Sequence, residues 1–284
     1  MKKLIKGFSK LSRDEKIRIL AEQLAYDGDL SKDLEGFLHH DANVQEKLNS
    51  FSENTLANFP VPFGIAPNFL INNKIYHVPM VVEESSVVAA ASYAARFWAD
   101  RGGFHARVTR TKKIGQVHFR WKGKKDMLKS HFPDLRDYIF TNTGHLTDKM
   151  RKRGGGITDI ELIDKTSDIK NYYQLMVSFE TAESMGANFI NSCLEEAGNL
   201  MKTYFQELQS NDLPEIMMAI LSNYTPECIV ETEVECKIDE LENADKELSG
   251  PEFAEKFITA VNIAQTDIFR AVTHNKGIFN GIDA

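Results

Sequence analysis

The chain has 284 residues, of which 42% are hydrophobic and 26% charged, a composition typical of a globular protein with a substantial core. It contains no run of 18 apolar residues, and its basic amino-terminal segment has no apolar h-region, so neither a transmembrane helix nor a secretory signal is predicted. The three cysteines lack metal-ligand spacing, which argues against a disulfide scaffold and a zinc site and favours a reducing cytoplasm.

The net charge of −7 is unevenly distributed along the chain. Residues 101–153 hold 15 Lys and Arg against 4 Asp and Glu, a local charge of +11, which leaves −18 on the remainder. A basic region in an acidic protein indicates either an anionic ligand or a solvated lysine-rich surface, and the composition alone leaves both interpretations open.

The first hundred residues are predominantly helical in pattern. Residues 11–24 predict a helix with a capping box formed by Ser12 and Glu15, and the stretches 29–40 and 43–59 predict further helix. Two apolar runs on either side of Asn72–Asn73 predict a β-hairpin. The apolar run 87–99 then predicts a buried helix that starts at a serine cap and ends at Gly102–Gly103.

After residue 104 the pattern changes to alternating strands. Residues 104–123 resemble a two-stranded β unit, four further strands follow, and residues 186–209 predict one long helix. A helical pattern returns over 249–272, with Pro251 in its first turn. These patterns predict an α+β fold in which a smaller α+β domain, 105–228, is inserted into a helix-rich larger domain, 1–104 and 229–284.

Two stretches contain carboxylates or a glycine at positions typical of catalytic or ligand-binding sites. Glu83 and Glu84 separate an apolar strand from an apolar helix, which places them either at a surface turn or in a site withdrawn from water. Gly186 in "SMGAN" precedes the long helix, whose free N–H groups suit a phosphate or an amide of a ligand. A tight strand–helix turn without a ligand explains the same residues.

Two further stretches contain cations beside glycines. Residues 149–156 have the sequence "KMRKRGGG", four cations followed by three glycines. This stretch either suits phosphate recognition or forms a flexible surface loop. Lys276 lies between Asn275 and Gly277 after a long helical pattern. A lysine held in a turn can stabilise a developing oxyanion, whereas a lysine after a helix can also merely offset the helix dipole.

Together these stretches resemble 3-hydroxy-3-methylglutaryl-coenzyme A reductase (HMG-CoA reductase), specifically the soluble bacterial class II form. The matching stretches occur in family order with family-like spacing and cover the chain from about residue 8 to its end. They are "SENTLANFPVPFGIAPNFLIN" (52–72), "VPMVVEESSVVAAASYAAR" (78–96), "RGGGITDIE" (153–161), "ESMGANFINS" (183–192), "ILSN" (220–223) and "DIFRAVTHNKGIFNGIDA" (267–284).

The resemblance implies a role for several side chains in the larger domain and at its border. Glu84 corresponds to the catalytic acid of the family, Lys276 to its catalytic lysine and Asn223 to an active-site asparagine. Ser86, Arg270 and Asn280 correspond to residues that contact the acyl substrate. Ser85 departs from the family, which usually has proline there.

The inserted domain resembles the ferredoxin-like cofactor domain of the family. The resemblance places Glu183, Met185, Gly186 and Asn188 at the nicotinamide end of the cofactor, although the family usually has aspartate in place of Glu183. Asp148 lies near the position of the family's cofactor-selective carboxylate, but Arg151 and Lys152 are close by, so we expect NADPH, with NADH as the alternative. No metal is expected.

The implied reaction is the reduction of HMG-CoA to mevalonate and coenzyme A with two hydrides, or its reverse. We expect a homodimer or larger homo-oligomer with the active site at the subunit interface, and neither a membrane nor a nucleic acid as partner. The alternatives are a non-catalytic relative that keeps the dimer and ligand surfaces, and a nucleic-acid-binding protein that uses the basic region. Family members continue well beyond the position of Ala284, so we expect an inactive fragment with protease resistance confined to about 105–228.

Overall fold

A computed structural model gives the fold of the protein and describes residues 4–242 and 244–284. The described helices are α1 (Arg13–Leu24), α2 (Leu30–Glu35), α3 (Ala42–Asn49), α4 (Val87–Ala99), α5 (Lys125–Asn142), α6 (Gly144–Arg151), α7 (Ala187–Glu207), α8 (Gly250–Thr266) and α9 (Ile268–Asp283). The described strands are β1 (Phe63–Ile71), β2 (Lys74–Val81), β3 (His105–Thr111), β4 (Lys113–Arg120), β5 (Gly156–Asp164), β6 (Tyr172–Glu180), β7 (Glu215–Leu221) and β8 (Cys228–Glu233).

The chain divides into two units. Unit one comprises residues 1–103 and 235–284, and unit two comprises residues 104–234. Unit two therefore ends six residues later than the inserted domain expected from the sequence, because strand β8 pairs with β3 and so belongs with it. Mixed helix and sheet in this arrangement is an α+β fold, as the sequence predicts.

Helix α1 of unit one starts at the predicted capping box. The Ser12 hydroxyl accepts a hydrogen bond from the Glu15 N–H (3.3 Å), and the Glu15 carboxylate accepts one from the Ser12 N–H (2.8 Å). The helical stretches predicted over 29–40 and 43–59 are both shorter than expected, since α2 ends at Glu35 and α3 ends at Asn49. The Ser50 hydroxyl donates to the Lys47 carbonyl (2.7 Å), a local bond that competes with continuation of the helix.

Strands β1 and β2 form the predicted hairpin. Asn72 and Asn73 have φ values of 50° and 64°, the left-handed conformation that a two-residue hairpin turn of type I′ requires. Helix α4 follows and packs against β1, where Val88 lies beside Gly64. The prediction of a buried helix is wrong for α4, because Ala95 is its one buried residue.

Helices α8 and α9 correct the prediction of one helix over 249–272. The chain adopts an extended conformation at Asp267 (φ −101°, ψ 116°), which interrupts the helical hydrogen bonds. The Asp267 carboxylate then accepts a hydrogen bond from the Phe269 N–H (3.0 Å) and starts α9 as its N-cap. The result is two helices, and the second one extends to Asp283.

Unit two contains a four-stranded antiparallel sheet in the order β5-β6-β4-β7. Its chain order is β4-α5-α6-β5-β6-α7-β7. With α5 and α6 as one helical connection, this is the βαββαβ arrangement of a ferredoxin-like fold, which confirms the predicted fold class. Strands β3 and β4 exist as predicted but do not pair with each other, so the two-stranded unit is wrong. Lys112 alone separates the two strands, and a single residue cannot reverse the direction of the chain as a hairpin requires. Strand β3 pairs with β8 instead.

Helix α7 covers one face of this sheet and supplies much of its core. Leu194, Met201 and Phe205 are fully buried, and the Phe205 ring lies 4.7 Å from the Trp121 ring, measured between centroids. Gly115 on β4 has no side chain where α7 crosses, and a Cβ there would collide with Leu194. Among the described residues, no helix is long and apolar enough to cross a membrane.

Burial is very unequal between the two units. Among the described hydrophobic side chains, those buried in unit one are Ile17, Ala66, Met80 and Ala95, and all the others belong to unit two. Because buried apolar area is the main source of folding free energy, we expect unit two to be more stable than unit one.

Limited proteolysis of the chain is expected to leave a fragment close to 104–234, identified by mass spectrometry. Leu194→Ala removes a fully buried side chain at a cost of about 2–5 kcal/mol, so it should abolish this protection. The neighbouring exposed substitution Glu195→Ala is the control and should preserve the fragment. Survival of a fragment from unit one in place of unit two would contradict the assignment of the stable core.

The cysteines differ in accessibility, and this difference is testable by alkylation. Cys193 is buried in α7, and burial raises the pKa of its thiol to about 11, so little nucleophilic thiolate forms at neutral pH. Cys228 is exposed. At about pH 8, iodoacetamide should label Cys228 quickly and Cys193 only after denaturation, as read by peptide mass spectrometry. Equal labelling rates in the native chain would contradict the packing of α7.

Candidate functional site

The link between β2 and α4 carries the predicted catalytic acid. Strand β2 ends at Val81, and residues 82–86 form a turn before α4 begins at Val87. Glu84 is at this turn with half of its side chain exposed, which is the surface-turn alternative of the two that the sequence left open. Ser86 is the N-cap of α4 in a left-handed conformation (φ 74°), and its hydroxyl makes no capping hydrogen bond.

Three residues predicted from the sequence meet at this turn. The Lys276 Nζ lies 3.0 Å from the Glu84 Oε2, although the two residues are 192 positions apart. The Asn280 Nδ2 donates to the same oxygen at 3.2 Å. Lys276 and Asn280 are four residues apart on α9, a spacing that places both side chains on one face of a helix.

The position of Lys276 corrects one prediction. The sequence predicts a lysine in a turn, but Lys276 lies within α9, and Gly277 and Gly281 are helical as well. Glycine inside a helix costs about 1 kcal/mol relative to alanine, so it weakens a helix without excluding one. The lysine is therefore oriented by a helix face, and this orientation directs it towards Glu84.

The ion pair contributes little to stability. The Lys276 and Glu84 side chains are 62% and 51% exposed, and pairs of this kind stabilise a protein by about 0–1 kcal/mol. The two side chains are brought close by backbone contacts of α9, since α9 lies against α4 and the Ala284 carbonyl accepts a hydrogen bond from the Val81 N–H (2.8 Å). Chemically, a carboxyl group that can donate a proton lies beside a cation that can stabilise a developing oxyanion.

Arg270, the remaining predicted substrate residue of unit one, lies on the same helix. It precedes Lys276 by six residues on α9, and its side chain is exposed. Within the described chain it forms no ion pair, so its guanidinium group is available to an anionic ligand.

The predicted cofactor residues of unit two belong to two segments at one end of the sheet. Gly156, the first residue of β5, pairs with Glu180, the last residue of β6, so the α6–β5 link and the β6–α7 turn are neighbours. The prediction of a basic loop is wrong in part, because Asp148 and Arg151 lie in the last turns of α6 and Lys152 is its C-cap. All three side chains are exposed.

The β6–α7 turn (Thr181–Gly186) presents the second set of predicted residues. Gly186 is the N-cap of α7 with φ 76°, and a Cβ there would lie 2.6 Å from Thr181 Cγ2, so only glycine fits. No side chain caps α7, which leaves its first N–H groups available to acceptors of a ligand. Glu183, Met185 and Asn188 are exposed around this helix start.

A cavity of about 170 Å³ adjoins this turn in unit two. Met185 from the turn, Asn223 from the segment after β7, and Lys113 at the start of β4 line it. Asn223 was predicted as a site residue, but Lys113 was not. A lysine before an apolar strand was the only local signal for Lys113, and such a signal does not distinguish a site residue from an ordinary edge residue.

Nine of the 15 Lys and Arg side chains in residues 101–153 form two groups in the structure. Five of its cations pair with carboxylates from later segments: Arg107 with Glu231, Lys112 with Glu227, Lys122 with Glu215, Lys125 with Asp164 and Arg136 with Asp159. The cations at the end of α6 have no such partner in the part of the chain that the structure describes: Lys149, Arg151, Lys152 and Arg153. The second group keeps the charge that an anionic ligand requires.

No metal centre is formed by the described residues, which contain no group of three or more His, Cys, Asp or Glu side chains placed to hold an ion. The described residues of unit one instead contain an acid–lysine pair. Separately, unit two contains a helix that starts at a glycine and cations without an ion-pair partner in the described chain.

Comparisons with known proteins identify relatives along the whole chain. The 3-hydroxy-3-methylglutaryl-coenzyme A reductase of Archaeoglobus fulgidus is 30% identical over 286 residues, covering 100% of this chain and 61% of that protein. A probable enzyme of the same name from Borreliella burgdorferi is 31% identical over 252 residues, covering 87% of this chain and 53% of the relative. The chain thus spans less than two thirds of the length of both.

A solved structure agrees with the fold. The class II 3-hydroxy-3-methylglutaryl-CoA reductase from Streptococcus pneumoniae, bound to NADPH in open conformations, superposes with a TM-score of 0.71 at 34% identity over 98% of this chain and 72% of that chain. A family model described as hydroxymethylglutaryl-coenzyme A reductase matches residues 12–284. These findings confirm the resemblance noted from the motifs, and the chain belongs to the hydroxymethylglutaryl-coenzyme A reductase family.

Proposed function

We propose that the protein reduces HMG-CoA to mevalonate and coenzyme A with NADPH, or catalyses the reverse reaction. The observation that carries the proposal is the 3.0 Å contact between Lys276 Nζ and Glu84 Oε2, which joins two distant stretches that match the family's catalytic motifs. Family membership over residues 12–284 supports it.

The reaction places negative charge on a carbonyl oxygen each time a hydride is added. Bound NADPH supplies the hydride, so the protein's contribution is orientation and electrostatics. Lys276 stabilises the developing oxyanion, and Glu84 donates a proton to it as the charge forms. Asn280 donates a hydrogen bond to Glu84 and so holds the carboxyl group in place beside the lysine. Asn223, Ser86 and Arg270 complete the proposed set of active-site and substrate residues.

NADPH is the proposed cofactor. Arg151 and Lys152 at the end of α6 are exposed cations without an ion-pair partner among the described residues, which suits the 2′-phosphate of NADPH. Asp148 is one helical turn before them and would approach the same ribose. The β6–α7 turn, with Glu183, Met185, Gly186 and Asn188, would bind the nicotinamide end. The relative from Streptococcus pneumoniae is described as bound to NADPH, which supports this choice over NADH.

The proposal includes a homo-oligomer in the cytoplasm. Large apolar side chains of α9 are exposed, with Phe269 at 82% and Ile282 at 71%, and a second copy of the chain would cover such a surface. All three cysteines are free, as a reducing compartment requires.

Substitution of the acid and the lysine tests the proposed catalysis. In any preparation of the protein that oxidises NADPH with HMG-CoA, Glu84→Gln and Lys276→Ala should each lower kcat by at least about 10²-fold. The adjacent exposed carboxylate supplies a matched control, since Glu83→Gln removes the same charge without touching Lys276. The measurement is the loss of NADPH absorbance under saturating substrate.

Near-normal turnover in either variant would contradict the assigned roles. Binding of NADPH and HMG-CoA by a protein that shows no turnover in any preparation would instead support the alternative, a relative that keeps its ligand surfaces without catalysis.

Neutralising the cations of α6 tests the choice of cofactor. Arg151→Gln with Lys152→Gln should raise the KM for NADPH at least about tenfold, because charge-assisted hydrogen bonds to the 2′-phosphate are lost. The KM for NADH, which lacks this phosphate, should change little. The control is Lys124→Gln with Lys129→Gln, which removes the same charge from the start of α5. Equal effects on both cofactors would show that α6 does not recognise the phosphate.

A further inference from the structure

The β6–α7 turn has an unusual backbone that other groups must maintain. Ala182 adopts a left-handed conformation with φ 50°, and Gly186 does so four residues later with φ 76°. A non-glycine residue in this region costs about 1–3 kcal/mol and persists only where surrounding contacts enforce it. The contacts around the turn therefore determine where its side chains and the first N–H groups of α7 are presented.

Some of these contacts are internal to the turn. The Thr181 hydroxyl donates to the Ser184 carbonyl (2.6 Å), and the Ser184 hydroxyl donates to the Thr181 carbonyl (2.8 Å). The Glu180 carboxylate at the end of β6 accepts a hydrogen bond from the Ala182 N–H (3.0 Å). These bonds close the turn, and the Glu180 carboxylate also accepts a hydrogen bond from the Thr111 hydroxyl at the end of β3.

Lys113 attaches the turn itself to β4, the strand next to β6 in the four-stranded sheet. It is the first residue of β4 and pairs with Phe179 of β6, so its side chain starts two residues short of the turn. Its Nζ donates to the Thr181 Oγ1 (2.8 Å) and lies 3.4 Å from the Ser184 carbonyl oxygen. One ammonium group thus contacts the two residues that flank Ala182 and Glu183.

The charge of Lys113 is not balanced by a carboxylate. Within the described chain it has no ion-pair partner, whereas its neighbour Lys112 pairs with Glu227 at 2.9 Å. Lys113 also lines the cavity of about 170 Å³ that Met185 and Asn223 border. A lysine kept at this place for solubility would point into solvent; this one is directed at the turn.

We propose that Lys113 is a positioning residue that holds the β6–α7 turn in the conformation that binds the cofactor. The inference rests on the proposed function, since it assigns the turn to the nicotinamide end of NADPH. Lys113 acts through Thr181 and Ser184, and removal of its ammonium group leaves the turn closed by its internal bonds but free to shift relative to β4. A shifted turn displaces Met185 and the amides of α7 from the ligand.

The test compares Lys113→Met with Lys112→Met in the 284-residue chain. Both substitutions remove one charge and keep a long apolar stem, but only Lys113 contacts the turn. Hydrogen exchange followed by mass spectrometry should show faster exchange of the amides of residues 182–188 in Lys113→Met alone. The Kd for NADPH, measured by fluorescence titration, should rise about tenfold in Lys113→Met and stay within about twofold of the parent in Lys112→Met.

Two further variants separate positioning from general destabilisation. Lys113→Arg keeps a donor and a charge, so it should restore the exchange pattern and bring the Kd to within about threefold of the parent. Thr181→Val removes the acceptor, and adding Lys113→Met to it should have little further effect if the lysine acts through that hydroxyl.

Unchanged exchange and Kd in Lys113→Met would overturn the proposal, as would equal effects of Lys112→Met and Lys113→Met. If the parent chain binds no NADPH, the proposed function fails for this chain, and the exchange measurement still decides whether Lys113 holds the turn.

Discussion

The close packing of α7 on the four-stranded sheet is the constraint on which the architecture of unit two depends. Leu194 of α7 lies over β4 at Gly115, where any side chain would collide with it. The Asn191 side chain accepts a hydrogen bond from the Leu221 N–H (3.0 Å) and so fixes the same helix to β7. Because the helix position is set in this way, the turn that leads into α7 has to span a fixed gap in six residues.

That gap explains the composition of the turn. A short connection between a strand and a closely packed helix needs left-handed residues, and Gly186 meets the need where Thr181 leaves no room for a Cβ. The uncapped N–H groups of α7 then lie at one end of the sheet, near the carboxyl-terminal end of α6. The basic end of α6 and the start of α7 are therefore brought together by sheet register, through the pairing of Gly156 with Glu180.

Local signals in the sequence were enough to predict the elements that local interactions determine. The capping box of α1 and the Asn72–Asn73 turn each depend on residues within a few positions of one another, and both were predicted correctly. Helix α5 was not predicted, and it contains Pro133, a residue that ordinarily argues against a helix interior. The partners of β3 and β4 were wrong because alternation identifies a strand without naming its neighbour.

The candidate site shows the same limit. The motifs predict Glu84 and Lys276 as site residues but carry no information on backbone conformation, so they do not predict the helix that contains Lys276. Lys113 has no motif at all. Its contact with Thr181 crosses 68 residues of chain and becomes visible only when β4 and β6 are paired in register. Residues that position a site through long-range contacts leave little trace in a single sequence.

The exposure of the acid–lysine pair bears on how it can work. At about 4 Å in water, two unit charges interact by about 1 kcal/mol, which is too little to stabilise an oxyanion by orders of magnitude in rate. The same charges interact several times more strongly once water is excluded. With Glu84 half exposed in the described chain, exclusion of water has to come from whatever covers the pair. Under the proposed function that cover would be the acyl substrate, so that a thioester displacing water from Lys276 would also create the low dielectric in which the lysine stabilises an oxyanion.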